Sequence, residues 1–397
     1  MKILIVCQFY YPEKFAITPL AEGLVKQGHE VDVVTGQPNY GYFQIAPGYQ
    51  NVFDETIAGV HVHRVKLIPR KKSRLSIILN YLSYYFSACR YLSKLSSDYD
   101  VVYSFTLSPV ISVQPANMYA KKHGIKHLLH CVDLWPESTV VTGAVKRHGL
   151  IYKILYKWSK SIYEQADYIA IGSPSFKEYF HHVLHIENKP FKVIVQPPLI
   201  DHTDETAIIY PPGSTNIVYC GNLGTLQNID QIINAARRLK SEQNCHIHVI
   251  GMGTHMHELR RVILNEKLSD VMSYYGPMNA ERSAAYYHNA DALFVGLKGN
   301  DWVGDTIPNK LIMYLAFARP IIASLHGDGA EVVRHAGGGI LIDDQPESLI
   351  QAIMRVKMMT KEEKRQLGFA NRRYFEENFK VERSVQLVEE TLLELTK

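Results

Sequence analysis

The chain has 397 residues and a net charge of only +4 at neutral pH, and 46% of its residues are hydrophobic. This length exceeds what one ordinary hydrophobic core supports, so we expect two domains. The small net charge excludes a dedicated nucleic-acid binder, since binding to a phosphate backbone needs clustered basic charge.

The first predicted element is an apolar run over residues 3–7, which is too short for a signal-peptide core or a membrane span. No later run approaches the ~18 apolar residues of a membrane helix. The five cysteines show no CxxC spacing and fit buried reduced thiols. We therefore expect a cytoplasmic protein.

Short apolar runs alternate with helical patterns along the whole chain. The predicted strands cover residues 3–7, 31–35, 60–65, 101–105, 127–132, 168–171 and 193–195, and then 217–220, 246–250, 292–295 and 320–323. Continuous apolar strands separated by helices indicate α/β domains with doubly wound parallel sheets. Ligands of such sheets bind at the carboxyl ends of the strands.

Polar loops follow several of these strands in the first half. Pro12-Glu13 follows the first strand, Pro38-Asn39-Tyr40 follows the second, and Asp133-Leu-Trp-Pro-Glu137 follows the strand at 127–132. Each loop should lie at the carboxyl edge of the sheet. For Asp133 a helix cap is the alternative interpretation, and for Trp135 the alternative is core packing.

A basic segment, residues 70–74, precedes a helical pattern rich in tyrosine and leucine over 75–95. Cationic and aromatic side chains together suit an anionic membrane surface. A solvated basic loop before a core helix is the other interpretation.

A Pro-rich, acidic stretch separates the predicted strand at 193–195 from the one at 217–220 and has the composition of an interdomain linker. We place a first domain at 1–198, the linker at 199–214, a second domain at 215–378 and a final helix at 379–397.

The second domain opens with Tyr-Cys-Gly-Asn-Leu-Gly-Thr-Leu-Gln over 219–227, where a strand leads into a helix. Glycines let a backbone approach phosphate closely, and a helix start supplies N–H donors. A plain strand-to-helix turn is the alternative, both here and for the Gly-Met-Gly turn at 251–253. The candidate residues of these two turns are Gly221, Asn222, Gly224, Gln227, Gly251 and Gly253.

The most informative segment is Asp-Thr-Ile-Pro-Asn-Lys over 305–310, a polar loop that leads into a short helix behind Pro308. The free N–H groups and partial positive charge of a helix N-terminus suit phosphate. Lys310, in the first turn, adds a full positive charge beside them.

These motifs together resemble retaining glycosyltransferases of family 4, in the branch that assembles capsule, O-antigen and colanic acid and includes UDP-N-acetyl-L-fucosamine transferases. The resemblance implies the GT-B fold, with two Rossmann-like domains facing a cleft and the last helix crossing back to the first domain. It implies transfer of an N-acetylated sugar from a UDP-sugar to a saccharide, often lipid-linked, at the inner face of the plasma membrane. No metal or other cofactor is expected.

The resemblance also assigns roles to residues. Lys310 would contact the diphosphate, and Asp133 would orient the sugar or the acceptor hydroxyl. The acceptor-side residues would be Pro12, Glu13, Pro38, Asn39, Tyr40, Trp135 and Glu137. The nucleotide-sugar site would take the two glycine turns with Tyr275, Asp305, Thr306, Pro308 and Asn309.

This chain departs from the family pattern at three positions. Asn222 and Gln227 stand where many members have an Arg and a Lys, and Met313 stands where a glutamate usually holds the ribose. Two rival functions therefore stay open: a sugar-nucleotide epimerase of the same fold, and a non-catalytic partner subunit. The Asp98-Tyr-Asp100 triplet, which has the spacing of a metal-binding motif, precedes a strand and is interpreted as structural.

Overall fold

A computed structural model describes residues 1–71, 73–199, 208, 210, 213–242, 244–299 and 302–397. The chain divides into two compact units, one of Met1–Leu199 with Val381–Lys397 and the other of Ile200–Lys380. Most of the predicted linker at 199–214, and Lys72 of the basic segment, lie outside the described residues.

The first unit is built on a sheet that has eight strands among the described residues. They are β1 (Lys2–Val6), β2 (Glu30–Gly36), β3 (Asp54–Ile57), β4 (Val60–Val65), β5 (Val101–Thr106), β6 (Lys126–Cys131), β7 (Tyr168–Ile171) and β8 (Phe191–Val193). Their order is β3-β4-β2-β1-β5-β6-β7-β8, and every pairing is parallel except that of β3 with β4. The predicted strand at 193–195 is displaced, since β8 ends at Val193.

Helices cover both faces of this sheet because successive residues of a buried strand point to opposite faces. The helices are α1 (Ile17–Lys26), α2 (Arg74–Leu92), α3 (Gln114–His123), α4 (Glu137–Val141), α5 (Leu150–Glu164), α6 (Ser175–Glu178) and, from the chain end, α14 (Val381–Leu395). Ile3 and Ile5 of β1 belong to the core under α1 and α14, whereas Leu4 and Val6 belong to the core under α2 and α3.

Helices α2, α3 and α5 form one layer on the second face. Asn117 of α3 donates to the Ile162 carbonyl of α5 at 2.9 Å, and Met118 of α3 contacts Tyr85 and Cys89 of α2. Right-handed crossovers explain this grouping, because the connections that contain these helices all advance across the sheet in one direction.

The last helix, α14, packs against α1 at the site of a glycine. A Cβ at Gly23 would lie 2.3 Å from a methyl carbon of Val385, so the absent side chain permits this close approach. His29 pairs with Glu389 at 2.8 Å, and Ser384 donates to the Val195 carbonyl at 3.0 Å.

The second unit holds an all-parallel sheet, with six strands in the described part of the chain. They are β9 (Thr215–Asn222), β10 (Cys245–Met252), β11 (Met272–Tyr274), β12 (Ala292–Gly296), β13 (Ile321–Ser324) and β14 (Gly339–Leu341), in the order β11-β10-β9-β12-β13-β14. The helices are α7 (Ile229–Leu239), α8 (Met256–Asn265), α9 (Ala280–Asn289), α10 (Asn309–Ala316), α11 (Gly327–Ala336), α12 (Pro346–Met358) and α13 (Lys361–Asn378).

Both units therefore have the predicted doubly wound architecture. Across the described residues, every helix falls short of the length and apolar character that a bilayer crossing demands.

Candidate functional site

Lys310 lies at the carboxyl end of β9, in the first turn of α10. Its Nζ sits 3.7 Å from the centre of the Tyr219 ring and donates to Gln227 Oε1 at 3.2 Å. Within the described residues, the ammonium group forms no ion pair with a carboxylate. Desolvation by the surrounding protein lowers the pKa of Lys310 to about 7. A cation in this state gains most from an anionic ligand.

Tyr314 fixes α10 against β9. It lies one turn after Lys310, so both side chains point to the same strand. The Tyr314 hydroxyl accepts a hydrogen bond from the Cys220 N–H at 2.8 Å and donates to the Cys220 carbonyl at 3.2 Å. The strand end and the lysine are thereby held in register.

The glycine turns have a packing explanation. Gly251 has φ +135°, and a Cβ there would lie 1.8 Å from the Gly221 carbonyl oxygen. A Cβ at Gly253 would lie 2.5 Å from the Leu223 carbonyl oxygen. The Leu223 N–H also donates to the Met252 carbonyl at 2.8 Å. Gly251 and Gly253 thus allow the ends of β9 and β10 to approach closely, which supports the tight-turn interpretation of these two residues.

The loop after β9 is short and held at both ends. A 3₁₀ turn over Thr225–Gln227 follows Gly224, and α7 begins at Ile229. Asn222 is exposed at the strand end. Asn228 has φ +52°, and its amide donates to Gln231, Ser324 and Asp344. These bonds hold the loop that carries Gln227 next to Lys310.

The loop before α10 packs against the start of α11. The Asp305 carbonyl accepts the Asp328 N–H at 2.9 Å, and Thr306 Oγ1 donates to the Val303 carbonyl at 2.9 Å. Pro308 precedes α10, and Asn309, its first residue, is exposed. The side chain of Met313 is partly exposed and cannot accept the hydrogen bonds that a glutamate would.

Tyr275, which the resemblance places in the nucleotide-sugar site, directly follows β11. Its hydroxyl bonds to His248 Nδ1 at 2.9 Å and its ring packs on Tyr286 with a centroid distance of 5.0 Å. Burial lowers the pKa of His248 to about 3, so this imidazole is neutral. The Gly276 carbonyl accepts the Gly251 N–H at 2.9 Å. This bond links the Tyr275 loop to the Gly251 turn. Of the predicted nucleotide-sugar residues, the structure brings four close together: Lys310, Gln227, Gly221 and Gly251.

Asp133 follows β6 in the first unit and is partly buried. Desolvation raises the pKa of its carboxyl, while a backbone N–H from Ser108 opposes the rise. The Trp135 indole donates to Ser108 Oγ, so Trp135 ties the Asp133 loop to the loop after β5.

Glu137 is buried, and its carboxylate is fully engaged inside the first unit. It accepts hydrogen bonds from Arg147 at 2.6 Å, Tyr152 at 2.5 Å and Tyr179 at 3.4 Å. We therefore interpret Glu137 as a positioning residue that anchors the start of α4 under the Asp133 loop.

Glu13 joins the loops after β1 and β2. Its Oε1 accepts the N–H groups of Asn39 at 2.7 Å and Tyr40 at 2.5 Å, and burial raises the pKa of this carboxyl. Asn39 Oδ1 in turn accepts from Asn80 and from the Arg70 N–H. Pro12 is partly exposed beside Glu13, and the Pro38 carbonyl accepts the Ala46 N–H at 2.7 Å. These residues build a rigid edge on which Tyr40 is exposed.

The acidic triplet at 98–100 has been considered as a metal-binding motif. Asp98 pairs with the Lys2 ammonium at 2.6 Å, and Asp100 accepts the Lys2 N–H at 2.7 Å, so both carboxylates brace β1. Throughout the described ranges, His, Cys, Asp and Glu side chains form no group of three suited to a metal ion.

Sequence reasoning missed two parts of this arrangement. In the sequence analysis, Tyr219 is treated only as a strand residue. Its position two residues before Gly221 could have indicated an aromatic ring at the carboxyl end of the strand. Arg70 was read only as a member of a basic segment, whereas its side chain lies over the Tyr40 and Tyr81 rings.

Two family models match the chain, one in each half. Residues 15–195 match the glycosyl transferase 4-like domain, and residues 214–357 match glycosyl transferases group 1. A glycosyltransferase domain model thus matches most of each unit of the structure.

Two curated proteins are similar to part of the chain. The probable glycosyltransferase WbjE of Pseudomonas aeruginosa is 24% identical over 244 residues, which cover 59% of each chain. The putative colanic acid biosynthesis glycosyl transferase WcaI of Escherichia coli is 25% identical over 268 residues, which cover 61% of this chain and 64% of WcaI. The chain therefore spans about three fifths of the length of these relatives.

Among solved structures, Alr3699/HepE of Anabaena in complex with UDP superposes with a TM-score of 0.70. It is 13% identical, with 99% of this chain and 100% of that chain covered. At this identity the likeness concerns the fold, and it confirms the predicted GT-B fold.

Proposed function

We propose that this chain, which carries the two domains of a GT-B glycosyltransferase, transfers a sugar from a UDP-sugar to a saccharide with retention of anomeric configuration. The observation that carries the proposal is the desolvated Lys310 ammonium, which lies over the Tyr219 ring beside the Gly221 turn. Lys310 has a pKa near neutrality and no acidic partner among the described residues. A negatively charged ligand would therefore stabilise its charged form.

The second unit would hold the donor. Lys310 and the first N–H groups of α10 would neutralise the charge that develops on the leaving diphosphate. The amides of Asn222 and Gln227 would add neutral hydrogen bonds where other members place cations. In this proposal retention follows from front-face attack, in which the leaving phosphate takes the acceptor proton. Neither a carboxylate base nor a metal ion is then required.

The nucleotide proposal rests on relatives. HepE was solved with UDP, which supports a uridine nucleotide in this fold. The resemblance to UDP-N-acetyl-L-fucosamine transferases favours an N-acetylated sugar, and WcaI is named for colanic acid biosynthesis. We therefore place the reaction in bacterial surface polysaccharide synthesis, of the capsule or O-antigen type, with a lipid-linked acceptor.

The first unit would bind the acceptor, and Asp133 would orient the attacking hydroxyl. A carboxyl of raised pKa at the end of β6 can exchange a hydrogen bond with a hydroxyl in either protonation state. The loops that Glu13 and Asn39 hold in place would shape this acceptor side.

We also propose that the layer of α2, α3 and α5 lies on an anionic membrane. On α2, four apolar residues at helical spacing are exposed: Leu75, Ile78, Leu79 and Phe86. On α5 a second such stripe is exposed: Leu150, Ile151, Ile154 and Trp158. Exposed cations accompany both stripes: Lys71, Arg74, Lys153 and Lys157. Apolar stripes flanked by lysine and arginine are typical of interfacial helices.

The function is tested by nucleotide binding followed by transfer. Thermal shifts of the intact protein with UDP, GDP, ADP and their sugars should single out UDP compounds. Radiolabelled UDP-N-acetylhexosamines should then label a membrane-lipid fraction. Tight binding of another nucleotide, or conversion of the UDP-sugar into its epimer without any acceptor, would contradict the proposal, and the second result would identify an epimerase. Failure to bind any nucleotide would favour a non-catalytic subunit, the alternative that Asn222, Gln227 and Met313 support.

A further inference from the structure

Arg70 occupies an unusual setting in the first unit. It lies between the end of β4 and the start of α2, and its backbone N–H donates to Asn39 Oδ1 at 3.0 Å. The carbon centre of its guanidinium sits 5.4 Å from the centre of the Tyr40 ring and 5.9 Å from that of Tyr81. The arginine is thus held by two aromatic rings and by its own backbone.

Among the residues that the structure describes, those contacts leave the N–H donors of the guanidinium without acceptors. Aromatic faces attract a cation but take up none of the five N–H donors that arginine presents in a planar fork. Within the described residues, the Arg70 side chain forms no hydrogen bond or ion pair. Arg64, on the neighbouring strand, is the opposite case. It is buried, binds Glu55 at 2.5 Å and donates to the Tyr11 carbonyl at 2.6 Å.

The position of Arg70 relates it to the proposed acceptor side. Burial raises the pKa of the Tyr81 hydroxyl, the charge of Arg70 opposes this rise, and the charge of Asp133 adds to it. Tyr40, whose ring also packs against Phe9 and Phe15 at 5.4 Å, remains 48% exposed. Arg70 thus contacts the Tyr81 ring, whose hydroxyl also senses the charge of Asp133, and the exposed Tyr40 ring lies beside the arginine.

The exposed stripe of α2 begins immediately beyond this arginine, at Leu75. The first unit thus carries a carboxyl group for a sugar hydroxyl, a guanidinium whose donors lack an acceptor among the described residues, and an exposed apolar helix face. A saccharide joined through phosphate to a lipid presents the three matching kinds of chemical group. A planar guanidinium fork is the side chain that matches phosphate oxygens best.

We propose that Arg70, supported by Tyr40 and Tyr81, binds the phosphate of a lipid-linked acceptor. This inference rests on the proposed function, since it assigns a subsite to the acceptor. It separates the phosphate of the acceptor, bound by Arg70 in the first unit, from that of the donor, bound by Lys310 in the second.

The test measures binding of octyl diphosphate, which carries lipid and phosphate but no sugar, by calorimetry on the full chain. The titrations use a Lys310→Met background, so that the donor site does not take up the probe. Arg70→Ala should weaken binding at least tenfold, and Arg70→Lys should weaken it several-fold because the bidentate fork is lost. Arg90→Ala, an equal charge change at an exposed position near the end of α2, should stay within twofold.

Equal binding by Arg70→Ala and its parent would overturn the inference, as would an equal loss in Arg90→Ala. Inorganic pyrophosphate bound as tightly as octyl diphosphate would identify a free-phosphate site instead. In the transferase assay, Arg70→Ala should raise the KM for the acceptor and leave the affinity for UDP unchanged. Arg70-dependent binding in a protein that binds no UDP would refute the proposed function and leave the phosphate site standing.

Discussion

Lys310 occupies the space that a side chain at residue 221 would need. A Cβ at Gly221 would lie 2.7 Å from Cε and 3.0 Å from Nζ of the lysine, and φ at Gly221 is +146°. The lysine therefore reaches the end of β9 only because that residue is glycine. Its ammonium lies there over the Tyr219 ring, where burial lowers its pKa.

Replacing Lys310 by methionine should lower turnover at least about a hundredfold, which corresponds to roughly 2.7 kcal/mol of lost transition-state stabilisation. The reason is the loss of the positive charge facing the leaving diphosphate. Lys298→Met is the matched control, because Lys298 pairs with Asp230 near the same loop. Steady-state kinetics on both variants decide the matter, and equal activities in the two would refute the role of Lys310.

The melting temperature of Lys310→Met shows whether this variant is folded and tests the lowered pKa of Lys310. The pKa of Lys310 is about 7 in the folded protein and near 10.5 when unfolded, so the unfolded state binds more protons between these values. The charged lysine thus destabilises the native state below about pH 7, and this cost fades as the pH rises towards 10.5. Lys310→Met should therefore melt above the parent at pH 7 when no nucleotide is present, with a smaller difference at pH 9.

Affinity for UDP should fall as the pH rises from 7 to 9. Only the ammonium form attracts a diphosphate, and the free protein loses this form above its pKa of about 7. UDP itself is already ionised in this range, since second phosphate pKa values lie near ~6. The affinity should fall by about tenfold per pH unit until the pH reaches the pKa of Lys310 in the UDP complex, which the bound diphosphate raises.

Lys310→Arg provides the comparison for this pH profile, because arginine stays charged throughout the range. If Lys310→Arg still binds UDP, calorimetric titrations should show that its affinity for UDP does not change between pH 7 and 9. Parallel slopes in the parent and Lys310→Arg would show that another group titrates.

Much of this fold is readable from the sequence, because buried parallel strands appear as continuous apolar runs. The strands that were missed are β3, β11 and β14, and each lies at a sheet edge. β3 carries the polar sequence Asp-Glu-Thr-Ile, and the other two have three residues each. Such strands bury little apolar surface and leave no periodic signal.

The candidate site divides in the same way. The family resemblance placed Lys310 and Gln227 in one site, and the structure joins them by a hydrogen bond. The burial of Glu137 could not be predicted, because this residue stands in a polar motif. Its hydrogen-bond partners Arg147, Tyr152 and Tyr179 lie 10 to 42 residues further along the chain. Long-range partners of this kind are set by tertiary packing, which a local pattern does not encode.

Asp133→Asn should cut turnover by about tenfold or more and leave the affinity for UDP within about threefold. Asparagine keeps the size of the side chain but removes the carboxylate that would orient the acceptor hydroxyl. Asp98→Asn is the control, since that carboxylate pairs with Lys2. A collapse of UDP affinity with unchanged turnover at saturation would assign Asp133 to the nucleotide instead.

The exposed stripes of α2 and α5 should hold the protein on anionic vesicles. Phe86 is 64% exposed and Trp158 is 40% exposed, and aromatic side chains at such positions insert at the lipid headgroup level. Changing both to serine should weaken sedimentation with phosphatidylglycerol vesicles at least tenfold. A matched double change of Leu264 and Met358, exposed apolar residues of α8 and α12 in the second unit, should have little effect.

The charged part of this surface is tested separately. Lys71, Arg74, Lys153 and Lys157 should contribute on the order of 1 kcal/mol each near anionic lipid, an attraction that salt screens. Changing all four to serine should abolish most binding at low salt, and the parent protein should leave the vesicles as salt rises. Transfer to a soluble acceptor analogue should persist in both sets of variants, because neither touches Lys310 or Asp133. Vesicle binding that ignores salt, charge and the aromatic changes alike would mean that these helix faces do not meet the membrane.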